Sequence, residues 1–268
     1  MLNILITGIS SGIGYNVATY LHHKGFRVIG TSRNPQNVST AFEIIHADIT
    51  DEVSVRQAVI LAQEKFGGAI DVLINNAGYG LFGPLEATSM EEARTQFETN
   101  YFGVVRMTKA VLPQMRQRRS GRIITIGSMA GLIGMPFQGH YSASKYALEG
   151  LTEALRLELL PFNIQVTIID PGDFKTSFTS NRQTVALPNV PDQYHDRFNQ
   201  MLALYQSEEQ DGSNPIIIAK HIEKLLTTKA TPKVRYVLGK RLQTIGVLVK
   251  KIIGDTYFEK ILRMMWKL

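Results

Sequence analysis

The chain has 268 residues, 44% hydrophobic and 19% charged, with a net charge of +6, the balance of a soluble globular protein able to bury a sizeable core. It contains no cysteine, which excludes disulfides, thiolate metal sites and a cysteine nucleophile. No apolar run approaches the roughly 18 residues needed to span a bilayer, and the chain opens on a strand without a basic, apolar leader, so a cytoplasmic location is expected.

Leu2 to Ile6 is a short apolar run that predicts a strand. It turns at once into Thr7-Gly8-Ile9-Ser10-Ser11-Gly12-Ile13-Gly14, and a periodic segment over 12–24 follows with Val17, Ala18 and Leu21 on one face. Strand, glycine-rich turn and helix in that order suit a dinucleotide. The glycines let backbone N–H groups approach a pyrophosphate, and the helix N-terminus supports its charge. The spacing is G-x-x-x-G-x-G with no Gly-Lys-Ser/Thr after it, which excludes a P-loop; a structural turn is the competing reading. The second strand, 26–31, runs into Gly30-Thr-Ser-Arg-Asn34. An NAD site usually places an acid here, about 20 residues past the turn, to accept the ribose 2′-OH. There is none, and Arg33 can meet a 2′-phosphate instead, so NADP(H) is expected over NAD(H). The alternative for Arg33 is a solvated loop residue.

A third strand at 42–46 leads to Asp48, and a helix follows at 51–66. A strand at 71–75 leads into Asn75-Asn76-Ala77-Gly78. One long helix over 89–117 contains Asn100. A strand at 121–126 precedes Ser128, and a helix over 141–160 opens with Tyr141-Ser-Ala-Ser-Lys145. A strand at 164–169 precedes Pro171-Gly172, a helix follows at 215–228, and a short strand lies near 234–238. Runs such as Val72-Leu-Ile74 and Ile123-Ile-Thr-Ile126 predict parallel strands buried on both faces. Alternating βα units imply an α/β fold with a doubly wound parallel sheet and a ligand crevice at the strand C-termini, where all these motifs fall.

Tyr141 and Lys145 stand four apart, on one face of a helix. A phenol with an ordinary pKa of about 10 is a poor acid or base at neutral pH. A fixed ammonium one turn away is expected to pull it towards the working range.

Thr7-Gly-x-x-x-Gly-x-Gly14, Asn75-Asn-Ala-Gly78, Asn100, Ser128, Tyr141-x-x-x-Lys145 and Pro171-Gly172, in this order and with these gaps, resemble the short-chain dehydrogenase/reductase family over residues 1–180 and more loosely to about 240. The resemblance implies a Rossmann fold and a homodimer or homotetramer. It implies proton transfer by Tyr141, with Ser128 holding the substrate oxygen, Lys145 binding the nicotinamide ribose and Asn100 holding a relay water. Around the cofactor it implies Gly8, Ser10, Ser11, Gly12, Ile13 and Gly14 at the turn, and Asp48 and Ile49 at the adenine. Asn76, Ala77 and Gly78 follow along the cofactor side, with Tyr141, Lys145, Pro171, Gly172 and Thr176 at the nicotinamide end. No His/Asp/Glu cluster has metal-ligand spacing. His195 is a candidate substrate contact.

Residues 1–240 are expected to form the single domain, with 173–214 as a substrate lid. Phe174, Phe178, Phe198, Met201 and Tyr205 in that segment, with Leu132, Ile133, Met135 and Phe137, suggest a lipophilic ketone, aldehyde or alcohol of steroid, retinoid, fatty-aldehyde or oxoacyl type. Residues 241–268 are expected as a basic amphipathic extension. From Lys229 onward ten Lys/Arg face two acids, +8, so the preceding 228 residues carry −2. Phe258, Ile261, Leu262 and Met265 form its expected apolar face, with Lys260, Arg263 and Lys267 interleaved and Trp266 near the end. A membrane-surface element, a partner-docking helix and a cap over the active site all fit. Nucleic acid is not expected, because no recognition motif accompanies the charge. Pro232-Lys-Val-Arg-Tyr236 with this extension is similar to the hydroxysteroid and retinol dehydrogenase-like branch. A nonenzymatic dinucleotide-binding sensor or scaffold is the alternative function, and members of that kind often lack the Tyr or the Lys that this chain keeps.

Overall fold

The computed structural model describes residues 1–266. Its strands are β1 (Asn3–Thr7), β2 (Arg27–Ser32), β3 (Glu43–His46), β4 (Val72–Asn75), β5 (Leu81–Phe82), β6 (Gly121–Ile126), β7 (Ile164–Pro171), β8 (Gln183–Thr184) and β9 (Arg235–Leu238). Its helices are α1 (Gly12–His23), α2 (Glu52–Phe66), α3 (Met90–Phe97), α4 (Gly103–Arg118), α5 (Gly139–Leu159), α6 (Phe178–Asn181), α7 (His195–Gln210), α8 (Ile216–Thr227) and α9 (Arg241–Trp266). Seven strands form one parallel sheet in the order β3-β2-β1-β4-β6-β7-β9. The order reverses between β1 and β4, the switch point at which such sheets open a crevice.

The period-2 alternation of each strand divides the core. Leu5, Leu73 and Ile123 point into one cluster with Val55, Val59, Met107, Val111 and Leu159, from α2, α4 and α5. Their neighbours Ile4, Ile6, Val72, Ile74 and Ile124 point into the opposite cluster with Val17 and Leu21 of α1 and Ile218 and Ile222 of α8. Both faces are covered, so the central strands carry continuous apolar runs such as Val72-Leu-Ile74.

Two elements depart from the sequence expectation. The single helix expected over 89–117 is broken by a π-turn at Glu98–Phe102. The buried Asn100 side chain bonds the Tyr79 backbone there rather than facing along a helix. The terminal helix runs from Arg241 to Trp266 and bends at Gly254, whose φ of 74° suits glycine. Of its expected apolar face, Phe258 is buried and Leu262 packs inward. Met265, by contrast, is 58% exposed, and Trp266 takes the inward place. Lys267 lies outside the described residues. Trp266 joins Phe82, Val185, Val190, Phe198, Met201 and Tyr205, with Met135 and Phe137 against them. This third cluster sits above the sheet, tied down by the pairing of β5 with β8. Among the described residues no helix is long and apolar enough to cross a membrane.

Candidate active site

The glycine turn lies between β1 and α1. Gly8 has φ 69°, and a Cβ there would lie 2.6 Å from the Ala77 Cα, so the Asn-Ala-Gly segment can lie against it only because residue 8 has no side chain. Asn76 fastens the two. Its Nδ2 donates to the Thr7 and Gly8 carbonyls at 2.9 Å each, while the Asn76 and Ala77 N–H groups donate to Thr7 Oγ1 at 3.0 Å. The Asn76 amide is therefore spent in fastening the two segments together. Ser11 sits at the N-cap of α1 without a side-chain cap bond, leaving the first-turn N–H groups of Gly12, Ile13 and Gly14 open to an anion. Thr176 and Ser177 close over this turn, 3.6 and 3.7 Å from a Cβ built on Gly12. Asn181 reaches the Ser11 hydroxyl at 3.3 Å. The buried Ser177 Oγ has no partner. An uncapped helix start under an unpartnered hydroxyl fits a dinucleotide diphosphate.

At the other end of this groove Arg33 is exposed beside Asp48. Burial acts to raise the Asp48 carboxyl, but two bonds from Thr50 and the charges of Arg33 and His46 outweigh it and hold it low. Ile49 is buried next to Asp48.

Tyr141 and Lys145 share one buried face of α5. The Lys145 Nζ donates to the Ile126 carbonyl at 3.0 Å and stands 5.8 Å from the centroid of the Tyr141 ring. Ser128 follows β6 and caps a short turn by accepting the Ala130 N–H at 3.1 Å, and its hydroxyl acts to lower the Tyr141 phenol. Asn100 uses its whole carboxamide: Oδ1 accepts the Tyr79 N–H at 3.1 Å, and Nδ2 donates to Tyr79 O at 3.0 Å and Ser144 Oγ at 3.1 Å. Ser144 in turn donates to the Tyr141 carbonyl at 2.7 Å. The side chain of Asn100 thus braces the start of α5. Gly78 lies close by, with a Cβ built on it 3.9 Å from Lys145 Nζ. Gly172, past Pro171, is anchored to the Leu238 carbonyl at 2.8 Å. Ser128, Tyr141, Lys145, Asn100, the glycine turn and Asp48 therefore all lie at the C-terminal edge of the sheet.

The electrostatics differ from the sequence expectation. Burial pushes Tyr141 up to about 12, with the Ser128 hydroxyl opposing it. Burial also pulls Lys145 down to about 8, against the charges of Asp170 and Glu149. Desolvation penalises the charged form of each group and outweighs any help from ammonium to phenol. The Phe178 ring, 5.7 Å from the Tyr141 ring, supplies part of that cover. His195 bonds the Val190 carbonyl at 2.8 Å, within its own segment. Sequence reasoning missed Ser144, the buried Arg182–Glu209 pair under Phe178, and Asp170 with Glu149. Only Ser144 carried a signal, its place inside the Tyr141–Lys145 turn.

A family model described as short chain dehydrogenase matches residues 2–186. The chain is similar to the 3-ketodihydrosphingosine reductase of Bacteroides thetaiotaomicron, 43% identical over 265 residues, which cover 98% of this chain and 97% of that protein. It is 35% identical to retinol dehydrogenase 8 of Homo sapiens over 249 residues, 85% of this chain and 79% of that one. Among solved structures it resembles a short-chain dehydrogenase from Streptomyces avermitilis, with TM-score 0.83, 32% identity and coverage of 98% and 99%.

Proposed function

The chain belongs to the short-chain dehydrogenase/reductase family, and from that premise we propose an NADP(H)-dependent carbonyl reductase acting on a long-chain lipophilic ketone. The aromatic cluster of Phe82, Phe137, Phe198, Tyr205 and Trp266, joined to the start of α5 through Met135, whose N–H donates to Ser142, carries the substrate half of this reading. An alkyl chain lying against these side chains would find apolar contacts, and a sugar few hydrogen-bonding partners. The Bacteroides relative, similar over its whole length, is named for a long-chain ketone of this kind. Arg33, without a competing acid, supports the preference for the phosphorylated cofactor.

When bound, the nicotinamide supplies the hydride to the carbonyl carbon. Tyr141 gives its phenolic proton to the carbonyl oxygen, and Ser128 holds that oxygen by a hydrogen bond. Lys145 would hold the nicotinamide ribose hydroxyls and, one turn from Tyr141, would be the source of the proton that restores the phenol. Asn100 keeps Tyr79 and the first turn of α5 in place through Ser144. The segment 173–214 acts as the lid, and Phe178 must swing off Tyr141 before a ketone reaches it. No observation favours a nonenzymatic scaffold, since Ser128, Tyr141 and Lys145 converge.

Two further expectations belong to this proposal. Leu157 and Leu160, 75% and 71% exposed at the end of α5, support a homo-oligomer. Leu242, Ile245, Leu248 and Ile252 form an exposed apolar stripe on α9 beside Arg241 and Lys251, which supports peripheral contact with an anionic bilayer. A screen of NADPH consumption over long-chain ketones, retinoids, steroids and fatty aldehydes tests the activity. Turnover confined to polar sugars or acids contradicts the substrate class.

A further inference from the structure

Two buried carboxyl groups lie behind the catalytic edge, and the chemistry above uses neither. Asp170 sits near the end of β7 and is fully buried. Its Oδ1 accepts the main-chain N–H of Ser128 at 3.1 Å, which holds the loop carrying the serine. Glu149, also buried, stands one helical turn past Lys145 and two past Tyr141, on the same face of α5. Arg235 of β9 clamps both acids. It donates to Glu149 Oε2 through Nε at 2.7 Å and again through Nη2. It reaches Glu153 at 3.3 Å and passes 3.5 Å from Asp170 Oδ2.

The remaining oxygens, Glu149 Oε1 and Asp170 Oδ2, are buried and have no hydrogen-bond donor, and one guanidinium, that of Arg235, stands within reach of both acids. Two ionised carboxylates offer only acceptors, and holding both charges out of water beside a single guanidinium is costly. One proton removes both difficulties. We propose that Asp170 and Glu149 share a proton, and that this acid–carboxylate pair, clamped by Arg235, positions Ser128 for the reaction. The inference rests on the proposed role of Ser128. The charged groups facing the pair are Lys145 and Glu153 on α5 and Arg235 on β9. Burial first, and then the charge of Glu149, drives the Asp170 carboxyl well above the usual carboxylate range.

The folded protein then keeps a proton that an unfolded Asp releases near pH 4. Stability must therefore fall as pH rises from about 4 towards neutrality, below the range where Lys145 titrates. Asp170→Asn removes this slope, because its carboxamide keeps the oxygen facing Ser128 and offers Glu149 a permanent N–H.

The test uses the full chain. An infrared difference spectrum between unlabelled and carboxyl-13C-Asp protein at neutral pH is expected to show the carbonyl band of a protonated acid, lost in Asp170→Asn. Asp170→Ala is expected to lower kcat roughly tenfold, the scale of one buried hydrogen bond with its partner stranded, with NADPH affinity unchanged. Asp170→Asn is expected to recover most of that loss. Absence of the band, its persistence in Asp170→Asn, or an Asn variant as impaired as the Ala variant overturns the shared proton. The band and the stability slope do not depend on turnover, so they stand or fall separately from the proposed reaction.

Discussion

Tyr141 and Lys145 are displaced from their ordinary values in opposite directions by one cause, burial, to which the ring of Phe178 contributes at Tyr141. Alcohol oxidation needs Tyr141 as phenolate, so its rate rises with pH through the tyrosine pKa. Phe178→Ala should admit water, lower that pKa and move the rising limb of the oxidation profile to lower pH. A limb that stays in place shows that Phe178 is not what shields the phenol. Lys145→Met should reduce both turnover and NADPH affinity, because the ammonium serves both; a change in turnover alone would remove its ribose contact from the account. Arg33 is exposed and its charge is felt at Asp48, and a charge-assisted contact with a 2′-phosphate should favour NADPH over NADH by roughly 10- to 100-fold. Replacing Arg33 with Asp should reverse the preference, and equal Kd values for both dinucleotides in the wild type would make Arg33 a solvated loop residue.

α9 has two halves with different surroundings, divided at Gly254. The second half turns Phe258, Leu262 and Trp266 inward, and Trp266 completes the cluster that includes Phe198 and Tyr205 of α7. Emptying that place by Trp266→Ala should cost about 3 kcal/mol of local stability. The expected readout is a raised KM for a long-chain ketone and little change for a short one. Equal effects on both substrates would make the tail a packing element with no part in specificity. The first half keeps Leu242, Ile245, Leu248 and Ile252 outward, and each nearby Lys or Arg would add about 1 kcal/mol on an anionic surface, less in salt. Leu248→Glu combined with Ile252→Glu should abolish co-sedimentation with phosphatidylserine vesicles at low salt. Negligible binding by the wild type discards the bilayer contact.

At the scale of the whole molecule, one sheet edge gathers residues as far apart in the chain as Gly8 and Thr176. Most of that edge was legible because Val72–Ile74 and Ile123–Ile126 are largely apolar runs buried on both faces, and each leads directly into a motif. The π-turn at Asn100 was not legible, because it arises from a bond to the Tyr79 backbone 21 residues away. The Asp170–Glu149–Arg235 cluster was hidden for the same reason, since three lone charges on separate elements have no local pattern. The direction of the Tyr141 shift was misread because spacing shows the ammonium but not the aromatic ring that excludes water. The central claim is that this edge transfers hydride and proton to a lipophilic ketone, with Tyr141 as the proton donor. NADPH oxidation driven by a long-chain ketone should be measured for wild type and Tyr141→Phe, alongside NADPH binding by fluorescence. The account predicts clear turnover in the wild type, none above background in Tyr141→Phe, and nearly equal cofactor affinity; substantial turnover by Tyr141→Phe would contradict it.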